Sequence, residues 1–225
     1  MGRRLMDYSA PTLLFIDLET SGFYRKDLDI DDPGQPWAVS CAAALCNDAG
    51  TMTNFMSHII RSEGRMIKEN AMAVHGISDR VAQRIGVPES RVLGMLSDML
   101  KTAPHMRVIS YGDFDPMVIS SLFSRFAVAS NKPSSTYDRL WMTRPSTEFI
   151  NLMTPFCQEI CRLPSEFENG EYKWPSLDES AGAILGRPPR DGTHDAWQDM
   201  LLMRDIYFEL AKRGLFPRAL AEDAA

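Results

Sequence analysis

Two carboxylates, Asp17 and Glu19, stand at the end of the apolar run Leu13-Leu14-Phe15-Ile16, and the small-residue turn Thr20-Ser21-Gly22 follows them. An apolar run of this length bounded by turn residues reads as a buried strand. Side chains two apart on a strand project from one face, so Asp17 and Glu19 point together while Leu18 points away. Two like charges side by side at the edge of a core are costly unless a positive charge lies between them. Carboxylate oxygens are hard ligands suited to Mg²⁺ or Mn²⁺. The same pair also fits a strand end whose acids face water, and Asp-x-Glu alone does not choose between the two.

Further motifs narrow the choice. Asp115 follows a second apolar strand within Ser110-Tyr111-Gly112-Asp113-Phe114-Asp115-Pro116, and His194 and Asp199 lie in Thr193-His194-Asp195-Ala196-Trp197-Gln198-Asp199. Between the first and second acidic motifs stands Val74-His75-Gly76-Ile77-Ser78, preceded by His58-Ile59-Ile60-Arg61 and Ile67-Lys68-Glu69. Taken in this order, the motifs resemble those of the DEDDh (DnaQ-like) 3′→5′ exonucleases, the family of proofreading subunits, RNase T and oligoribonuclease. The resemblance runs over roughly residues 12–212.

The resemblance implies a ribonuclease H-like α/β fold, a mixed sheet flanked by helices. The chain is expected to comprise an extension 1–11, an exonuclease domain 12–215 and a tail 216–225. The resemblance also implies two divalent metal ions, Mg²⁺ or Mn²⁺, held by Asp17, Glu19, Asp115 and Asp199. Asp17 would bridge them, Glu19 and Asp199 would hold the ion that activates water, and Asp115 would reach the other through water. His194 would be the general base, since an unperturbed imidazole titrates near neutrality. Thr20, His75 and Phe114 would contact the terminal nucleotide of the substrate.

Spacing adds detail. His194 and Asp199 are five residues apart, which is not a same-face helical spacing. Both reach one site only if His194 stands outside a helix start and Asp199 one turn inside, with Gly192-Thr193 as the break. Asp113 competes with Asp115 for the third acidic role. Phe114 precedes Asp115 and Pro116 suits a first helical position with Asp115 as cap, whereas Asp113 reads as a turn residue bonding its own backbone. The family often has Asn or another small polar residue shortly before Phe-Asp, and Gly112-Asp113 departs from that.

The remaining expectations are coarser. Strands are expected over 12–18, 37–46, 51–61 and 107–111, and helices over 68–74, 90–102, from 115, 146–161, 177–185 and 195–213. The polar loop 21–36 is expected beside the catalytic face. Cys41 and Cys46 should point to opposite faces of a strand, and the cysteines read as buried thiols because no second tight pair completes a zinc site. The methionines at 95, 99, 200 and 203 read as core filling, and so do the tryptophans at 141, 174 and 197, with Trp174 in a polar loop over 163–176 the one to watch.

A net charge of −6 gives little grip on a long duplex, since phosphate contacts come from basic residues. It does not exclude a metal nuclease, whose cations are not counted in a sequence charge. Arg25, Lys26, Arg139, Arg144, Arg187 and Arg190 lie near the motifs, and each reads first as a solvated surface charge. No stretch is long and apolar enough to span a membrane and no secretory run opens the chain, so a cytoplasmic protein is expected. The expected activity is release of nucleoside monophosphates from 3′ ends of DNA, single strands favoured, with a DNA polymerase or replication protein as a possible partner. The alternatives are an oligoribonuclease-like enzyme acting on RNA and a catalytically silent replisome-binding subunit.

Overall fold

The computed structural model describes residues 11–102, 105–132, 147–153, 155–165 and 172–215. The strands are β1 (Leu13–Thr20), β2 (Ala38–Cys46), β3 (Met52–Ile59), β4 (Met106–Ser110) and β5 (Thr147–Asn151). The helices are α1 (Glu69–His75), α2 (Asp79–Ile85), α3 (Glu89–Lys101), α4 (Phe114–Ala129), α5 (Pro155–Cys161), α6 (Leu177–Leu185) and α7 (Ala196–Lys212). They form one mixed sheet in the order β3-β2-β1-β4-β5. β1 runs antiparallel to β2 and parallel to β4, and β5 is parallel to β4.

β1 is central and covered on both faces, which is why its apolar residues run without alternation. Leu14, Ile16 and Leu18 pack into one core with residues of α3 and α4, among them Leu96, Val118 and Leu122. Leu13 and Phe15 pack into the other with Met200, Met203 and Ile206 of α7. Asp17 and Glu19 share the parity of Leu13 and Phe15, so β1 delivers both acids to the α7 side. Cys41 and Cys46 divide between the two cores as their odd separation requires.

Three details differ from the sequence reading. The expected helix over 146–161 is an edge strand, β5, followed by the short α5. β5 pairs only with β4 and is half-exposed along its length, so it lacks the apolar run that marks a central strand. α2, between α1 and α3, is an additional helix. It buries Ala82 as its one fully covered residue, too little to produce a helical period. Finally, α4 begins at Phe114 with Asp113 at the cap position, and Asp115 lies inside the first turn rather than capping it.

Residues 1–10 and 216–225 and the segment 133–146, with Arg139, Trp141 and Arg144, lie outside the described residues, as does 166–171 of the loop expected over 163–176. The loop 21–36 folds back on itself around Gln35, whose Nε2 donates to the carbonyls of Arg25, Leu28 and Asp29. Arg125 of α4 tethers it by donating to the carbonyls of Asp32, Gln35 and Pro36. Met95, half-buried, and the buried Met99, Met200 and Met203 all fill core. Among the described residues no helix is long and apolar enough to cross a membrane.

Candidate active site

The carboxyl ends of β1 and β4, the parallel pair at the sheet centre, define the site. Crevices at such strand ends are where open α/β sheets bind ligands. β4 stops at Ser110 while β1 continues to Thr20, which leaves Asp17 and Glu19 beside the turn into α4. That turn is tightly built. Ser110 Oγ donates to the Gly112 carbonyl at 2.7 Å, and the Gly112 N–H donates to Asn151 Oδ1 at 2.9 Å. Gly112 has φ 93°, a left-handed conformation that disfavours any side chain. The first turn of α4 then directs Asp115 back toward β1, where the Leu18 backbone favours its charged form. Asp113 is exposed, and its Oδ1 accepts from Asn151 Nδ2 at 3.2 Å.

The fourth acid comes from α7. Asp195 caps this helix, its side chain accepting from the Gln198 N–H at 3.0 Å. Asp199 therefore sits one turn inside and His194 just outside, as the five-residue spacing requires. His194 Nδ1 lies 3.1 Å from Asp199 Oδ2. A carboxylate can only accept, so this contact places the ring proton on Nδ1 and leaves Nε2 basic.

Four carboxylates are thereby brought into one electrostatic neighbourhood, each less than a tenth exposed. Burial lifts the Asp17 carboxyl well above the usual range, reinforced by repulsion from Asp115, Asp199 and Glu19. Glu19 is raised to about 8, by burial and then by Asp199 and Asp115. Asp115 rises to about 7, chiefly through burial, with the Leu18 backbone pulling the other way. Among the described residues, Glu19, His194 and Asp199 bring ligand atoms within 4.8 Å of one another. That group takes in the histidine and does not include Asp17 or Asp115. Crowded buried acids with an imidazole among them suit a hard divalent cation, so the residues present fit one.

Arg190, a solvated surface charge by sequence alone, is part of the candidate site. Its guanidinium bonds to Asp199 Oδ1 and, through Nε at 2.7 Å and Nη2 at 3.2 Å, to both oxygens of Asp178. Asp178 is fixed in the first turn of α6 by a capping box of Ser176 and Glu179. Tyr111 OH braces the same helix start against the β4–α4 turn, with contacts of 2.7 Å to the Pro175 carbonyl and to Ser180 Oγ. Arg25 and Arg187, by contrast, pair with Asp27 and Asp205 at the surface, and Lys26 is exposed.

The residues expected to touch substrate divide. Thr20 is half-buried and donates to the Gly22 carbonyl at 3.0 Å. Phe114 packs against the α3–α4 core. His75 is buried, its Nδ1 accepting from the Ile77 N–H at 3.0 Å and its Nε2 making no hydrogen bond of normal geometry. Burial draws its pKa down, so the ring is neutral. The segment 74–78 has a second connection that its sequence does not signal. The Val74 carbonyl accepts from the His194 N–H at 3.0 Å, and Gly76, at φ 72°, packs on Thr193. The Val-His-Gly turn is thus a brace for the histidine loop. Trp174 is half-exposed, and Trp197 packs against Phe55 with ring centroids 5.2 Å apart and planes tilted by 48°.

No family model and no curated protein matches the chain in sequence. Solved structures do match in fold. Escherichia coli Exonuclease I in complex with a dA13 oligonucleotide superposes with a TM-score of 0.64 at 18% identity, covering 90% of this chain and 40% of that one. Its zinc-bound complex with single-stranded DNA gives 0.67 at 16% identity, covering 91% and 41%. Exonuclease I of Methylocaldum szegediense gives 0.64 at 17% identity, covering 89% and 40%. The chain thus spans about two-fifths of the length of these exonucleases. Its mixed five-stranded sheet with helices on both faces is a ribonuclease H-like fold, shared with Exonuclease I.

Proposed function

We propose that this chain is a metal-dependent 3′→5′ exonuclease of the DEDDh type that hydrolyses the terminal phosphodiester of single-stranded DNA and releases nucleoside monophosphates. The observation that carries the reading is the convergence of Glu19, His194 and Asp199 beside Asp17 and Asp115, from three separate elements, at the carboxyl ends of β1 and β4. The four acids would hold two divalent cations, Mg²⁺ or Mn²⁺, which supply charge neutralisation and polarise the attacking water when bound. His194, half-exposed and oriented by Asp199, takes a proton on Nε2 as the general base. Thr20 and the His75 segment border the place where a terminal sugar would lie. DNA is favoured over RNA because the two Escherichia coli Exonuclease I structures named above are complexes with single-stranded DNA. Single strands are favoured because a duplex end must first unstack, at about a few kcal/mol, and an acidic chain has little to repay that cost.

The test is parallel degradation of labelled single-stranded DNA, duplex DNA and RNA in Mg²⁺ or Mn²⁺. A 3′ phosphate should block the reaction and a 5′ block should not. Cleavage of closed circular single strands would show an endonuclease, and RNA degraded far faster than DNA would make the enzyme oligoribonuclease-like.

A further inference from the structure

Each carboxylate oxygen of Asp199 is bonded by a protein group. Arg190 Nη1 bonds its Oδ1, and His194 Nδ1 bonds its Oδ2 at 3.1 Å. A cation using Asp199 must therefore contend with the guanidinium. Arg190 is held unequally by its two acids. Asp178 grips it through two parallel hydrogen bonds, at 2.7 and 3.2 Å, a bidentate geometry that resists sliding. Asp199 holds it by one bond at the tip of the fork. The side chain is also not packed in. It is 29% exposed, and it borders an open cavity of about 200 Å³ between α6 and α7, with Arg187, Pro188 and Gln198 on the walls. Release of Nη1 from Asp199 would leave both bonds to Asp178 in place, because they use Nε and Nη2.

A guanidinium has five N–H donors. Asp178 takes one from Nε and one from Nη2, so Nη1 keeps both of its donors once it leaves Asp199. A planar fork beside a carboxylate cluster, anchored at one edge and open at the other, matches a phosphate oxygen pair.

Resting on the reading of the site as a metal-dependent nuclease centre, we propose that Arg190 is a transferable counter-charge. It neutralises Asp199 when no cation is bound and yields Oδ1 to the divalent ion. Still anchored on Asp178, it then binds a nonbridging phosphate oxygen of the nucleic acid. This assigns Arg190 to substrate binding and Asp178 to its positioning.

The two halves of the proposal predict opposite signs for one substitution. Mn²⁺ affinity of the full chain is measured by calorimetry without nucleic acid. Affinity for a short single-stranded deoxyoligonucleotide is measured separately in Ca²⁺. Arg190→Met removes both the competitor and the phosphate ligand. It should bind Mn²⁺ at least about tenfold more tightly and the oligonucleotide at least about tenfold more weakly. Asp178→Asn should reproduce the loss of oligonucleotide affinity. A merely structural arginine would weaken both when removed. Unchanged or weaker Mn²⁺ binding, or unchanged oligonucleotide binding, by Arg190→Met overturns the proposal. If that variant fails to fold, Arg190→Gln carries the same comparison. A wild-type chain that binds neither Mn²⁺ nor the oligonucleotide overturns the nuclease reading itself. Wild-type binding to both, unmoved by the substitution, overturns the role of Arg190 alone.

Discussion

Glu19 holds its proton to about pH 8, whereas the same carboxyl in an unfolded chain releases it near 4.5. With metal chelated, the folded chain therefore keeps a proton that the unfolded chain gives up. Stability from this group is full below about pH 4.5 and is lost as pH rises through about 8. Asp17 and Asp115 act in the same direction. Thermal melts in EDTA should show the wild type losing Tm between about pH 5 and pH 8, and Glu19→Gln, neutral throughout, should lose less. Parallel curves for the two proteins would mean that Glu19 is not protonated in the folded chain. Mn²⁺ should raise the wild-type Tm most at the alkaline end, where the acids are most fully charged. For His194, loss of a positioned base costs about 10²–10⁴-fold in rate. His194→Ala should lower single-turnover cleavage by that factor and leave the melting temperature in EDTA near wild type, because the ring is half-exposed and makes its one side-chain hydrogen bond to Asp199. Full turnover in this variant would assign the base to another group.

The elements show how far sequence signals reach. Asp17, Glu19 and Asp199 were legible because they ride on long apolar segments, β1 and α7, whose periods are unmistakable. The place of His194 outside α7 followed from a spacing that no helix face accommodates. Asp115 was legible as a helix-start acid, although one turn position was misread because Asp113, at the cap, makes no side-chain cap bond. β5 and α2 were missed because a half-exposed edge strand and a helix with one buried alanine carry almost no hydrophobic pattern. Arg190 was missed for a different reason. Its significance lies in Asp178 and Asp199, 12 residues before it and 9 after it, and no local pattern records that convergence. The brace from α1 was likewise hidden. A Cβ on Gly76 would meet Thr193 Cγ2 at 3.2 Å, on a backbone at φ 72°. Gly76→Ala should thus cost about 1 kcal/mol or more of stability, since alanine is strained at positive φ, and should displace the Thr193-His194 turn. Turnover should fall more than metal affinity does, and calorimetry beside single-turnover kinetics separates the two. Equal loss of both would place the damage at the acids instead.

At the scale of the whole molecule, the two cores do different work. The α3–α4 side holds β1 from one face, while the α7 side both covers the other face and completes the acid cluster. Met203 is fully buried between α7 and the sheet, and truncating a buried methionine to alanine costs about 2–5 kcal/mol. Met203→Ala should shift the urea midpoint accordingly. Amide hydrogen exchange should show α7 loosening before β1 and β2, because the sheet keeps its opposite core. If exchange in α7 and the central strands rises equally, the molecule opens as one unit. The order of the acids along the chain has a further consequence during synthesis. Residues 17 and 19 leave the ribosome first, residue 115 much later, and residues 194 and 199 later still. A nascent chain that has formed its central strands therefore shows two carboxylates with no histidine and no fourth acid opposite them. Under the proposed function, such a chain lacks both the base and the fourth acid, and the complete site is assembled only when the last helix docks.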